Sequence, residues 1–337
     1  MPLNELWFLL IAVLFTGFFF LEGFDFGVGM ATGLLPRSEG QRQALIGTIA
    51  PFWDANEVWL IAAAGAMFAA FPDWYATLFS GFYPVLTLLL LALILRGVSF
   101  EFRGKADSKR WRTLWDAAML AGSAAPPFLF GVLFARLASG VPVGPDMVMR
   151  ASAAELFDGY GVFAGLTLTA LCLLHGLTFL SLRTEGVLRI RSSRMAARLL
   201  PVVILMSLAL ADWTLSATDL FAGRSALLTP VLAAAALCMV TAAYSLRKGS
   251  ERLAFASTGS LILLVFGTLF AGLFPRLMIS SVDSAFDLTI ANSASGDYSL
   301  RIMTVAAACL LPFVLACQAW SYYVFRKRVR ENGNPGY

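Results

Sequence analysis

Charged residues are scarce in this chain of 337 residues, since they make up 14% of it while hydrophobic residues make up 59%. Ordinary soluble proteins are about 25% charged and 45–50% apolar, which excludes a soluble globular domain. The chain has one histidine, His175, and four cysteines that lie in apolar segments without a CxxC pair. This scarcity excludes a disulfide framework and a zinc or iron–sulfur centre, so no metal site is predicted.

Long apolar runs recur along the whole chain, each near or above the roughly 20 residues that cross a ~30 Å hydrocarbon core. We therefore predict an all-α polytopic membrane protein, with a single membrane domain over residues 1–337. Apolar runs and breakers together define nine transmembrane helices, with ends uncertain by several residues. They extend over about Leu6 to Leu35, Thr48 to Phe71, Thr77 to Val98, Asp116 to Leu137, Gly161 to Leu182, Leu199 to Leu220, Leu228 to Leu246, Leu253 to Phe274 and Ile302 to Phe325.

The basic residues alternate between the two sides of these helices. Of the 25 Lys and Arg residues, 20 fall in the first, third, fifth and seventh loops and the C-terminal tail. Because cytoplasmic loops carry the basic excess, the N-terminus is predicted outside and the C-terminus in the cytoplasm. This placement explains the net charge of +4 without nucleic-acid binding. The remaining five bases, on the outer side, are Arg136, Arg150, Arg224, Arg276 and Arg301.

A weak internal similarity aligns Arg96-Gly97-Val98-Ser99-Phe100 with His175-Gly176-Leu177-Thr178-Phe179. It is compatible with pseudo-repeated helix bundles over residues 1–137 and 161–274, followed by a last helix over 302–325. The alternative is a chance likeness between apolar helices of similar composition.

Four acidic residues lie inside the first two predicted helices: Glu22, Asp25, Asp54 and Glu57. Each pair is three residues apart and therefore shares one face of its helix. An Asp in hydrocarbon costs at least ~2.5–3.5 kcal/mol on insertion scales, so each acid needs a partner, a water-filled cavity or a function. Like charges this close cannot all ionise, so some are protonated or bonded to a base.

Two bases of this chain are predicted at a similar depth, Arg96 and His175. They do not balance four acids, and two interpretations stay open. In one, the acids form a proton entry path from the cytoplasm. In the other, they are structural groups that hydrogen-bond to backbone or to a partner subunit. His175 is either a structural hydrogen-bonding group or a proton relay. A bis-histidine haem needs two histidines, so this chain alone is not expected to hold one.

Two tryptophans, Trp53 and Trp59, flank the polar run of the second helix. At about 100° per residue, Trp59 points about 140° away from Asp54, so the two do not share a route. Trp59 is expected to face lipid, a partner or a separate apolar passage, with core packing as the alternative. G-x-x-x-G spacings at Gly23, Gly27, Gly29 and Gly33 predict close helix packing, within the chain or with another subunit.

Three motifs follow one another along the chain: Gly23-Phe24-Asp25-Phe26-Gly27-Val28-Gly29, Pro51-Phe52-Trp53-Asp54-Ala55-Asn56-Glu57-Val58-Trp59-Leu60 and Arg96-Gly97-Val98-Ser99-Phe100-Glu101-Phe102-Arg103. With these motifs the chain resembles subunit II of the cytochrome bd-type quinol oxidases, and the likeness covers essentially the whole chain. In outline the chain is similar to the cyanide-insensitive branch.

This resemblance implies a subunit of a terminal oxidase in a prokaryotic cytoplasmic (inner) membrane, which reduces O2 to water in a four-electron reaction with quinol as donor. The partner, subunit I, would hold haem b, haem d and the quinol-oxidising loop. Other expected partners are membrane lipids and a small single-helix accessory subunit, and a quinone or lipid could bind in this subunit.

The resemblance also implies roles for individual residues. Asp54 with Trp53 would contribute to a proton path, and Trp59 would line an oxygen route. The family often has Gly-Asn-Gln where this chain has Ala55-Asn56-Glu57, so Glu57 is an additional potential acid. Independently of the resemblance, their place inside the first helix makes Glu22 and Asp25 candidates for the same proton path, and Arg96, Glu101 and His175 are candidate relay or structural groups.

Two further functions compete with this one. A proton-coupled secondary transporter would use the buried acids as coupling residues, although no solute site is evident in the sequence. A purely structural partner of a haem subunit would not need Asp54, so replacement of this residue separates the alternatives.

Overall fold

Twelve α-helices make up most of the computed structural model, which describes residues 1–222 and 225–330. Arg224 and residues 331–337 of the predicted membrane domain lie outside the described residues. The helices are α1 (Leu3–Ala31), α2 (Glu39–Ile49), α3 (Trp53–Ala70), α4 (Pro72–Gly81), α5 (Tyr83–Phe102), α6 (Lys109–Ser139), α7 (Ala153–Leu156), α8 (Gly159–Arg183), α9 (Gly186–Ala217), α10 (Ser225–Lys248), α11 (Glu251–Leu273) and α12 (Asp297–Val324). A short antiparallel pair, β1 (Arg276–Met278) and β2 (Leu288–Thr289), flanks a single 3-10 turn over Ser284–Phe286.

Within the described residues, eight helices are long and apolar enough to cross a membrane. The all-α, multi-pass membrane fold is therefore confirmed. These eight helices are α1, α5, α6, α8, α9, α10, α11 and α12. The second predicted span corresponds to α3, which has 18 residues and carries Asp54, Asn56 and Glu57 near its start.

Five predicted spans begin five or more residues from the start of their helix. The fourth and ninth were placed from Asp116 and Ile302, whereas α6 and α12 start at Lys109 and Asp297. The second was placed from Thr48, but α2 ends at Ile49 and α3 starts only at Trp53, because Pro51 between them cannot donate a helical hydrogen bond. The third was placed from Thr77, which belongs to α4, and α5 begins at Tyr83. The sixth predicted span belongs to α9, which starts at Gly186, 13 residues before the predicted Leu199. Arg and Leu, which favour helix, continue α9 into the basic loop.

Helix α1 lies at the centre of the bundle and packs against α3, α6, α8 and α11. Glycines permit this contact: a Cβ at Gly27 would lie 2.7 Å from Cα of Gly176 on α8. A Cβ at Gly29 would lie 2.0 Å from Oγ of Ser123 on α6. The G-x-x-x-G spacings of α1 therefore serve packing within the chain.

Loops predicted on the same side of the membrane contact one another. At the basic end, ion pairs join the first, third, fifth and seventh loops with the C-terminal tail. These pairs are Arg42–Asp116, Arg103–Glu39, Arg189–Glu251, Arg328–Glu251 and Arg330–Glu185. At the opposite end, Asn4 donates to the Ile290 carbonyl, Thr77 donates to the Met147 carbonyl, and Val141 pairs with Ser280. These contacts agree with the alternation of the basic loops.

A buried carboxylate cluster

An ion pair between Glu22 of α1 and Arg96 of α5 lies in the interior of the bundle. The side chains are 0% and 1% exposed, respectively. The Arg96 guanidinium also lies 4.9 Å from the ring centroid of Phe26 and 5.6 Å from that of Phe100. A Cβ at Gly122 of α6 would lie 2.9 Å from the Cβ of Arg96 and 2.8 Å from the Ala92 carbonyl oxygen, so the glycine lets α6 approach α5 closely beside the ion pair. Arg96 is thus the base that meets the buried acids.

Asp25 lies one turn further along α1 and is completely buried. Its carboxylate accepts a 2.7 Å hydrogen bond from the Asn56 side-chain amide of α3. The Asn56 carbonyl oxygen accepts in turn from the Tyr322 hydroxyl at 2.8 Å and from the Gln318 amide at 3.2 Å, both on α12. A hydrogen-bonded chain therefore links the first and last helices through Asn56.

Asn56, Gln318 and Tyr322 were not among the site residues predicted from the sequence. Gln318 and Tyr322 are four residues apart and so share one face of α12. A glutamine within an apolar helix was the available signal, because such polar groups need partners in a membrane. What the sequence does not contain is the pairing itself, since Asn56 and Tyr322 are separated by 266 positions.

Glu57 and Asp54 continue the row of acids toward the surface. Glu57 is half-buried and lies within electrostatic range of Arg96, Glu22 and Asp54. Asp54 is exposed and occupies the first turn of α3. The four acids thus pass from an exposed position to a fully buried one, and Arg96 lies beside the buried end.

The two tryptophans of the motif have different surroundings. Trp53 stacks on Phe100 with ring centroids 5.0 Å apart and lies against Gly97, whose added Cβ would be 3.5 Å from the indole. Trp59 packs inward on α1, where a Cβ at Gly17 would lie 2.3 Å from its ring. The Trp59 indole nitrogen donates to Gln318 at 2.9 Å. Trp59 therefore faces a neighbouring helix of its own chain and, through Gln318, adjoins the Asn56 hydrogen bonds.

His175 and Glu101 lie apart from the four acids. The two ring nitrogens of His175 are 2.8 Å from the Thr258 hydroxyl and 3.2 Å from the Phe20 carbonyl. Its ring also stacks on Phe255 at 4.7 Å. Glu101 is exposed and has no hydrogen-bond or ion-pair partner in the part of the chain that the structure describes.

The surroundings of His175 do not fit a haem ligand. Axial coordination needs a ring nitrogen directed at the iron, whereas both nitrogens of His175 are engaged inside the helix bundle. Across residues 1–222 and 225–330, no group of three His, Cys, Asp or Glu side chains is placed to hold a metal ion. His175 is therefore not assigned as a haem ligand.

Several buried polar atoms around the ion pair have no hydrogen-bond partner within the described chain. They belong to both acids and to their basic neighbour, and a serine hydroxyl of α6 lies nearby on the same helix as Gly122. The atoms are Oε2 of Glu22, Oδ1 of Asp25, Nε and Nη2 of Arg96 and Oγ of Ser123. Glu22 and Asp25 are within hydrogen-bonding reach of each other, so a proton shared by the two carboxyls pairs their oxygen atoms. Buried polar atoms in proteins are bonded to protein groups or to ordered water, which leaves the Arg96 and Ser123 atoms as candidates for bonds to water.

A second charged cluster, at the basic end, holds α2, α5 and α6 together. Arg103 donates to both oxygens of Glu39 at 2.6 and 2.8 Å and to Asp116 at 2.6 Å. The hydrogen bonds from Arg103 lower the pKa of Glu39 below its ordinary value. Arg103 belongs to the third sequence motif, and its contacts assign it to helix packing.

Comparison with known proteins gives consistent matches. The sequence profile of the family described as "Cytochrome bd terminal oxidase subunit II" matches residues 3–325. The chain is 51% identical over 327 residues to "Cytochrome bd ubiquinol oxidase subunit 2" of Bacillus subtilis, with 97% of each chain covered. It is 35% identical to "Cytochrome bd-I ubiquinol oxidase subunit 2" of Escherichia coli K12, covering 98% of this chain and 96% of that one.

A solved structure shares the fold. The bd oxidase from Geobacillus thermodenitrificans superposes with a TM-score of 0.73 at 15% sequence identity, over 96% of this chain and 99% of the matched chain. This likeness concerns the arrangement of helices alone.

Proposed function

The chain belongs to the cytochrome bd terminal oxidase subunit II family, and we propose that within the oxidase it conducts protons from the cytoplasm through Asp54, Glu57, Glu22 and Asp25. As a member of this family it is a multi-pass membrane subunit of a quinol:O2 oxidoreductase. The observation that carries the proposal is the succession of acids from exposed Asp54 to buried Asp25, with unpartnered polar atoms at the buried end.

Charge counting supports a mobile proton at the buried end. One cation, Arg96, lies beside two fully buried acids, Glu22 and Asp25. A second uncompensated negative charge in the interior is expensive, so the two acids hold one proton between them. Glu57 lies within electrostatic range of Glu22, so water between these two side chains would pass protons from Glu57 to the buried pair. Oxygen reduction consumes protons, and the route supplies them.

The exposed face of α3 supports a partner subunit at this place. Asp54, Val58 and Ile61 lie on one face, and Val58 and Ile61 are 48% and 67% exposed. An acid facing lipid is costly, whereas a partner chain can offer it hydrogen bonds. We assign this face to subunit I.

Subunit I is also the proposed site of haem b and haem d, because the single histidine of this chain is occupied elsewhere. Quinol oxidation is assigned to subunit I as well. The proposed location is the prokaryotic cytoplasmic membrane, with the basic loops inside. We also propose that Trp59 lines an oxygen route. Its ring packs against apolar α1 at Gly17, and its indole nitrogen is held by Gln318. The accessory subunit and the division into two bundles remain predictions.

Replacement of Asp54 by Asn tests the proton route, because it removes the acid and keeps the shape. In the assembled oxidase we expect Asp54→Asn to lower quinol oxidase turnover at least about tenfold with unchanged haem spectra. The matched control is Asp107→Asn, an acid of the same end that is 98% exposed, which should retain full turnover. Unchanged turnover in Asp54→Asn would leave only a structural role for this chain.

Purification in mild detergent tests the assignment of the haems. We expect a second polytopic chain to copurify, with b- and d-type bands in the reduced-minus-oxidised spectrum. This chain expressed without its partner should show neither band. A colourless chain that is stable alone and transports a solute would favour the secondary transporter. The family membership does not favour that function.

A further inference from the structure

A cavity of about 630 Å³ opens at the basic end of the bundle, on the side of α1 that faces α8, α11 and α12. Its volume lies within the usual range of ligand sites. Its lining combines an apolar set, five phenylalanines and two leucines, with four arginines and Tyr322. The arginines are Arg183, Arg252, Arg326 and Arg328, and Phe52 and Phe179 are among the phenylalanines.

Arg183 is the most enclosed of the four arginines and is 8% exposed. One of its terminal nitrogens donates to the Phe325 carbonyl. Its guanidinium carbon lies 5.8 Å from the Phe52 ring centroid and 5.9 Å from that of Phe179. Its Nε is buried and has no partner among the described residues. A buried cationic donor at the boundary of the aromatic part is therefore available to an anion.

The remaining rim adds positive charge without acidic groups in the lining. Arg252 is exposed and has no ion-pair partner within the described ranges. Arg328 pairs with Glu251, whose carboxylate is shared with Arg189. Arg326 lies over the ring of Tyr323 at 3.8 Å. A molecule in the cavity would meet more positive than negative charge.

We propose that this cavity binds an anionic phospholipid, with its phosphate on Arg183 and Arg252 and an acyl chain among the phenylalanines. Guanidinium groups bind phosphate through paired hydrogen bonds, and the aromatic part requires an apolar tail. Basic pockets between membrane helices on the cytoplasmic side are suited to anionic headgroups, and this rim lies at the end of the basic loops. A neutral quinone would leave the arginines without a counter-charge. The lipid site does not depend on the proton route.

Native mass spectrometry of the purified complex tests the site, with palmitoyl-oleoyl phosphatidylglycerol and the matching phosphatidylcholine added back after delipidation. We expect one phosphatidylglycerol retained per complex, at least about fivefold more strongly than phosphatidylcholine. Arg183→Gln and Arg252→Gln should each weaken retention about fivefold, because each base near an anionic headgroup contributes about 1 kcal/mol, which is about fivefold in affinity. Arg194→Gln, an exposed arginine of α9 outside the cavity, is the control and should not change retention.

The outcomes that contradict the proposal are equally specific. Equal retention of the two lipids, or of phosphatidylglycerol by wild type and Arg252→Gln, would remove the anionic headgroup from the site. Displacement of the lipid by millimolar inorganic phosphate would indicate a site for a free anion. A copurified quinone that is lost in Arg183→Gln would indicate a quinone site. Arg252 is exposed, so its variant remains informative if Arg183→Gln does not assemble.

Discussion

Removal of Arg96 should strongly destabilise the assembled protein, and the structure sets the magnitude. Arg96 and Glu22 are almost fully buried, and breaking a buried ion pair by removing one partner costs about 3–5 kcal/mol. Arg96→Gln leaves Glu22 and Asp25 in the interior without a cation. The expected loss in the free energy of unfolding, measured by denaturant titration of the purified complex, is therefore about 3–5 kcal/mol.

The double variant Arg96→Gln/Glu22→Gln isolates the ion pair. Two neutral amides can still bond to each other, so most of the lost stability should return, and the coupling between the two sites should be at least about 3 kcal/mol. Turnover should not return, because the double variant lacks the acid of Glu22. The control pair is Arg150–Asp146, whose side chains are 63% and 46% exposed, and its removal should leave the free energy of unfolding almost unchanged. A cost below about 1 kcal/mol for Arg96→Gln, or additive effects in the double variant, would refute this reasoning.

Three further predictions concern other contacts. Asn56→Leu removes the donor to Asp25 and the acceptor of Tyr322, so it should cost about 2–3 kcal/mol and reduce turnover. Tyr322→Phe removes one hydrogen bond and keeps the stacking on Phe52, so it should cost about 1 kcal/mol; equal costs would contradict the central place of Asn56. Gly17→Ala forces a Cβ against Trp59 and should raise the apparent KM for oxygen more than the KM for quinol. The control Gly65→Ala, where an added Cβ meets nothing within 4 Å, should change neither KM. Equal shifts in both KM values would count against the oxygen route. Because the pKa of Glu39 is lowered in the folded state, its pairing with Arg103 stabilises above the unfolded value of about 4.3 and is lost as pH falls through the lowered value. Glu39→Gln should thus be less stable than wild type by about 0.2–1 kcal/mol at pH 7, a difference that disappears on acidification; a difference independent of pH would exclude this linkage.

The sequence predicted what depends on composition and helical spacing. Apolar runs located the membrane helices, and the buried acids of α1 were expected to need a base. Arg96 was one of two candidates, and the structure places it on Glu22. The close spacing of glycines predicted tight packing, and the structure shows that packing between Gly27 and Gly176 of the same chain.

Which helices become neighbours could not be predicted from the sequence. Helical spacing shows which residues share a face but not which helix meets that face. Tyr322 and Gln318 therefore escaped notice, although they bond to Asn56. For the same reason, the sequence predicted that Trp59 points away from Asp54 but not that it packs on Gly17. The break between α2 and α3 was missed because the apolar run continues across Pro51, and only the backbone shows the interruption.

Proton uptake during a single turnover tests the proton route most directly. The fully reduced oxidase is mixed with oxygen, and uptake is followed with a pH indicator while haem absorbance reports oxygen binding. We expect Asp54→Asn and Asp25→Asn to slow proton uptake at least about tenfold without slowing oxygen binding, and Asp107→Asn to match wild type. Proton uptake at the wild-type rate in both Asp54→Asn and Asp25→Asn would contradict a route through this chain.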